Sequence, residues 1–190
     1  MFLSLSELFD MVLMTLAVGF IFSDLFSQRV DIKKYDPLKV TQKSLQWEHI
    51  KIAAIITAPG IILHEMAHKF TAIAYGFVAE FHASYFWLGL GLLLKAFNSS
   101  FIFFVPGYVS ISGTGSNLHY ALVALAGPLF NCILWLVGIL VLRMKSLPKK
   151  YIPYLYAFKQ INLFLFIFNM LPIPGFDGFN FYYKFYLAFF

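Results

Sequence analysis

The sequence predicts an all-α polytopic membrane protein, a bundle of about four to six transmembrane helices interrupted by one short re-entrant or β-strand segment. Three observations lead there. Hydrophobic residues fill 61% of the 190 positions and charged residues only 12%, whereas an ordinary soluble domain is about a quarter charged. Four apolar stretches each approach or exceed the ~20 residues a helix needs to cross the hydrocarbon core. Between the second and third lies an apolar region too short and too glycine-broken to span. The length suits one compact unit, residues 1–190, with no soluble accessory domain.

The first stretch runs from about Leu5 to Phe26. It lacks a basic leader and a small-x-small cleavage site, and it carries Glu7 and Asp10, so it reads as a retained span rather than a signal peptide. Residues 28–51, QRVDIKKYDPLKVTQKSLQWEHIK, are polar and basic, with a turn at Asp36-Pro37. The second stretch covers Ile52 to Val78. In residues 77–118, SYFWLGLGLLLKAF is apolar but short for a span and glycine-broken, and FIFFVPGYVSISG fits a strand, a re-entrant segment or a half-helix. The third stretch is Tyr120 to Leu142, followed by the short basic RMKSLPKKYIP, and the fourth is about Tyr154 to Phe176. The net charge of +5 comes from loop lysines and arginines. No basic patch is interleaved with aromatics in a polar region, so the partner is a lipid bilayer and not nucleic acid.

The chemistry sits in the second stretch, at IILHEMAHKF, residues 61–70. His64 and His68 are four apart, about 400° of rotation and ~6 Å of rise on a helix, so both imidazoles leave one face and can hold one tetrahedral ion. Ionisable groups in an otherwise uncharged apolar segment cost several kcal/mol without a partner, and a metal is the natural partner. The single cysteine, Cys132, excludes a Cys-rich zinc site, so the ligands must be histidine and carboxylate. In an H-E-x-x-H arrangement Glu65 serves as general base toward a water activated by zinc.

The site needs a third ligand. After His68 the chain offers two carboxylates, Glu80 and Asp177, and two histidines, His82 and His119. Glu80, His82 and His119 stand at the ends of apolar stretches and read as interfacial polar residues. Asp177 follows NMLPIPGFDG, where Pro172 and Pro174 must break a helix. Broken backbone at membrane depth is tolerated where it lines a cavity, which makes Asp177 the candidate. ALAGPLFN, residues 124–131, is a further signal. Gly127 permits close helix approach, Pro128 opens the hydrogen-bond ladder, and Asn131 could bond a freed carbonyl or a substrate backbone.

Taken together, His64-Glu65-x-x-His68, Ala126-Gly127-Pro128-x-x-Asn131 and Asn169-x-x-Pro172-x-Pro174-x-x-Asp177-Gly178 resemble the site-2 protease family of intramembrane zinc metalloproteases. The resemblance covers residues 50 to about 180, the expected catalytic core. It implies one zinc per chain on His64, His68 and Asp177, with Glu65 as general base and Asn169 and Asn131 steadying the substrate backbone. It implies a multi-pass integral membrane protein that cuts transmembrane protein substrates in or near their helices. It also implies strands beside the site that hold the unwound substrate as an added strand, with FVAEFHASYF and FIFFVPGYVSI as the candidates. The loop charges and the resemblance assign opposite orientations: positive-inside counting puts loops 28–51 and 143–150 in the cytoplasm, the family pattern outside. After Asp177 the tail GFNFYYKFYLAFF is too short to span and suits an interfacial aromatic segment.

Three other readings compete. A membrane metalloprotease with a glutamate ligand on a later helix conflicts with the absence of glutamate after Glu80. A proteolytically silent relative, acting as a membrane binding protein or chaperone, gains no support from an intact Glu65. A metal transporter would need polar residues along a path, and this chain has one cluster.

Overall fold

The computed structural model describes residues 3–27, 47–99, 106–144 and 146–190. Helix α1, Leu5–Ser27, starts in a reciprocal cap: the Ser4 hydroxyl accepts the Glu7 N–H (3.2 Å) and the Glu7 carboxylate accepts the Ser4 N–H (2.8 Å). Helix α2, Trp47–Ala74, contains Pro59 and carries the H-E-x-x-H residues. It ends four residues before the apolar run does. Gly76 takes a positive φ of 82°, and the Phe77 N–H turns back to the Ala72 carbonyl, a closure that satisfies the last turn. Val78, expected at the end of the second span, belongs instead to strand β1, Val78–Ala83.

The ambiguous middle region therefore resolves into three pieces. Strand β1 pairs antiparallel with β2, Gly107–Ser112, with Phe81 opposite Val109 and Ala83 opposite Gly107. Between them, α3, Tyr85–Ala96, has 12 residues and is about 18 Å long, too short to cross a bilayer. Lys95 ties its end to the end of α1, where the ammonium meets the Phe20 carbonyl and the Ser23 hydroxyl.

Helix α4, Asn117–Leu142, is capped by Ser116, whose hydroxyl accepts the His119 N–H, and contains Pro128. A 3-10 turn, Lys149–Tyr151, leads into α5, Ile152–Asn169. The fourth stretch is thus shorter than the expected Tyr154–Phe176 span. Pro172 and Pro174 turn the chain after Asn169, and α6, Asp177–Phe189, follows. By length and composition α1, α2 and α4 can each cross a membrane. Helix α5, with Lys159, Gln160 and Asn162 in mid-helix, is not among them.

The interior is small. Met14, Val18, Ile61, Met66, Phe81 and Leu88 join α1, α2 and α3 under the sheet. Ala72, Phe77, Ala79 and Val123 join α2 and α4. Large apolar side chains instead face outward, such as Phe9, Val12 and Leu16 on α1, each about 60% exposed. So much exposed apolar surface suits lipid rather than water. The expected Asp36-Pro37 turn, most of the basic 28–51 connection, Lys145 and Val105 lie outside the described residues.

Candidate metal centre and cavity

Three side chains from two helices converge. His64 and His68 leave one face of α2, and Asp177 stands at the first position of α6. His64 Nε2 and His68 Nε2 are 3.0 Å apart, and the Asp177 Oδ2 is 3.0 Å from the first and 3.3 Å from the second. Zinc bonds of about 2.0–2.1 Å at tetrahedral angles place ligand atoms roughly 3.3 Å apart. The triangle is therefore the right size for such an ion, and among the described residues this cluster can hold a metal.

Both rings are held from behind. The His68 Nδ1–H donates to the Val123 carbonyl at 2.7 Å, and the His64 Nδ1–H donates to the Asn131 side-chain oxygen at 2.6 Å. Each acceptor takes a proton on Nδ1 and so leaves Nε2 to face the site, which is how protein groups orient metal-binding histidines. The orientation of the Asn131 amide is itself determined. Its nitrogen donates to the Gly60 carbonyl and to the Asn162 side-chain oxygen, both at 3.0 Å. Asn162 in turn donates to the Phe158 carbonyl. A buried amide chain thus links α5 to α4 to the His64–His68 face of α2.

Gly127 shows why α4 carries a glycine here. A Cβ at this position would stand 2.7 Å from His64 Nε2 and 2.3 Å from His68 Nε2, so any side chain would displace both imidazoles. Pro128 cannot donate to the Ala124 carbonyl, and the ladder opens beside Val123, whose carbonyl serves His68. Gly178 plays the matching part after Asp177. A Cβ there would meet the Met170 carbonyl carbon and oxygen at 2.5 Å, so the turn that starts α6 closes tightly on the end of α5.

The cluster opens on a cavity of about 770 Å³ with largely apolar walls. Glu65, buried on α2, lines it, as does Asn169. Asn131 does not reach it: the residue is fully buried and its amide is engaged by His64, Gly60 and Asn162. Asn131 thus stands behind His64, away from the cavity. Glu80 and His82 sit on the exposed face of β1, 4.0 Å from each other, and His119 stacks on Tyr75. None of the three joins the cluster.

Along one wall runs β2. Alternation in an antiparallel ladder decides where its backbone points. The N–H groups of Phe81 and Ala83 point away from β2, toward carboxylates on α1. Their register partners Val109 and Gly107 must therefore turn their own backbone groups to the other edge of the sheet. Gly107, Val109 and Ile111 line the cavity, and among the described residues no strand covers that edge.

Several of these groups carry no signal that sequence reading used. Val123 acts through its backbone carbonyl. Asn162 was legible only as a polar residue in an apolar helix. Lys69, Glu7 and Asp10 were visible as charges in apolar stretches, without an indication that they meet.

In comparison with curated proteins, the chain is 39% identical over 176 residues to "Putative zinc metalloprotease MJ0611" of Methanocaldococcus jannaschii, covering 90% of this chain and 81% of that protein. No family model matches, and no solved structure matches.

Proposed function

This chain belongs to the same family as that Methanocaldococcus jannaschii protein, and from that premise we propose an intramembrane endopeptidase of the site-2 type, a multi-pass protein that hydrolyses peptide bonds in or near transmembrane segments of membrane-protein substrates. The observation that carries the reading is the His64, His68, Asp177 triangle opening with Glu65 on a cavity bordered by an open strand edge. These three residues would hold one zinc per chain. When bound, zinc supplies a Lewis acid that polarises a carbonyl and lowers the pKa of water to about 7.

The protein's own groups do the rest. Val123 and Asn131 keep both Nε2 atoms turned into the cluster that would hold the ion. Glu65 takes the proton of the water that adds to the scissile carbonyl carbon and returns it to the amide nitrogen as the C–N bond breaks. Asn169 lines the cavity and would bond the substrate backbone. A helical substrate has its carbonyls already hydrogen-bonded, so it must unwind. The outward N–H and C=O groups of Gly107, Val109 and Ile111 can replace the lost bonds by strand addition. Apolar walls suit the side chains of a transmembrane segment.

The test is a pair of variants assayed on a purified transmembrane substrate with zinc content measured alongside. Glu65→Gln retains zinc near the wild-type level and loses cleavage by roughly 10²–10⁴-fold. Asp177→Ala loses both. A Glu65→Gln protein that cleaves as fast as wild type would remove Glu65 as the general base, and zinc-loaded wild type that cleaves no transmembrane substrate would overturn the enzymatic reading and favour a membrane binding protein. Equal zinc retention in Asp177→Ala would remove Asp177 from the ligand set.

A further inference from the structure

The two edges of the sheet are treated differently. The β2 edge is open to the cavity, and the β1 edge is closed by α1 rather than by a third strand. The Glu7 carboxylate accepts the Phe81 N–H at 2.8 Å, and the Asp10 carboxylate accepts the Ala83 N–H at 3.0 Å. The spacing explains the fit. Residues three apart lie on one face of a helix with about 4.5 Å of rise. Alternate N–H groups on a strand edge repeat at about 6.8 Å, a gap that the two side-chain lengths span. Glu7 and Asp10 thus stand where the carbonyls of a neighbouring strand would stand.

Each carboxylate also binds a second element. Glu7 pairs with Lys69 Nζ, which is 1% exposed and follows the ligand His68 directly on α2. Asp10 accepts the Tyr85 hydroxyl at the start of α3. A buried ion pair is a costly way to cover a strand edge, since a neutral amide side chain would also accept the edge N–H with less desolvation. What the pair adds is position. It links the metal-bearing turn of α2, through Lys69 and Glu7, to the Phe81 N–H. Across the ladder from Phe81 is Val109, whose backbone groups face the cavity.

We propose that Glu7 and Asp10 of α1 are positioning residues that set the β2 edge relative to Glu65 and the metal centre, and through it the register of the bound substrate strand. The inference rests on the strand-addition reading above. It gives α1, which lies outside the motif-bearing region, a role in selecting which peptide bond is cut. Through Phe81 and Ala83, Glu7 stands across the ladder from Val109 and Asp10 from Gly107, so the two carboxylates hold two of the three positions on the edge that borders the site.

The experiment is disulfide mapping of substrate register in the full-length, zinc-loaded protein. Cys132 is replaced by serine, Val109→Cys is introduced, and a transmembrane substrate carries single cysteines at successive positions. Glu65→Gln prevents turnover during mapping. The expected result is cross-linking at one substrate position in this background. Adding Asp10→Leu spreads it over neighbouring positions. In the active protein the same change raises KM roughly tenfold, with a smaller effect on kcat, the scale expected for losing a charge-assisted hydrogen bond. Asp10→Asn, which keeps an oxygen for the Ala83 N–H, restores a single position. A general loss of stability would lower zinc content and cleavage together without moving the register. Cross-linking confined to the original position in Asp10→Leu, with unchanged KM, would overturn the proposal. So would a scattered register in Asp10→Asn with zinc retained, and this arm decides the matter if Asp10→Leu does not fold. Absence of any cross-link to the Val109→Cys thiol in the otherwise unaltered background would remove the strand-addition reading itself, a different failure.

Discussion

Asn131 shows how the role of a residue follows from what its atoms touch. A polar residue in an apolar helix could serve a substrate or another side chain. Full burial and a complete set of partners place it with His64, Gly60 and Asn162. Removing it should cost metal binding rather than substrate binding. Asn131→Leu is expected to weaken zinc affinity by roughly 10–100-fold, the usual effect of losing the partner behind a ligand histidine. Asn131→Asp keeps an acceptor for the His64 Nδ1–H while losing both donors, so its zinc affinity should fall between Leu and wild type. Competition with a chromophoric chelator measures the order directly. Wild-type affinity in Asn131→Leu would show that His64 needs no such support.

At the scale of elements, sequence patterns located the helices better than their ends. Helices α1, α2 and α4 are apolar over lengths that can cross a membrane, a property read directly from composition, so their signal is strong. The end of α2 depends on one turn at Gly76, which a run of apolar residues on both sides conceals. The fourth stretch is divided because Pro172 and Pro174 stop α5 while the residues around them remain apolar. Within 77–118 the strands are short, and apolar runs of that length fit several structures. The motif residues were legible since helical spacing alone puts His64 and His68 together. The approach of Asp177 depends on the path after Asn169, and the amide chain through Asn162 on helix packing, which no local pattern encodes. The sheet offers its own test. The Val109 N–H points to the open edge, so Val109→Pro removes an edge donor and leaves the β1 ladder intact. Substrate cleavage should fall at least tenfold with zinc retained, the scale of one or more backbone hydrogen bonds. Undiminished cleavage in this variant would mean the edge does not carry the substrate.

For the whole molecule, the cluster is a joint as well as a site. Its three side chains come from α2, in the middle of the bundle, and from α6, which reaches α2 after the sharp turn at residues 170–176. No ion pair among the described residues ties α6 to α2 except those of Asp177 with His64 and His68. Without the metal, two imidazoles and a carboxylate must share protons to stay together. With it, three ligands bind a dication. The metal should therefore stabilise the folded arrangement by RT ln(1 + [L]/Kd), about 4 kcal/mol when free zinc exceeds Kd a thousandfold. The effect should be uneven. The α1–sheet–α3 side is held by Glu7, Asp10, Lys69 and Lys95 independently of the ion. Chelation should accordingly speed amide exchange most strongly in 170–190, with less change in 78–83 and 5–20, and restored zinc should reverse it. Uniform acceleration throughout the chain would mean that the metal holds the whole bundle rather than the α2–α6 joint. No change in 170–190 would mean that Asp177 is not drawn to α2 by the ion.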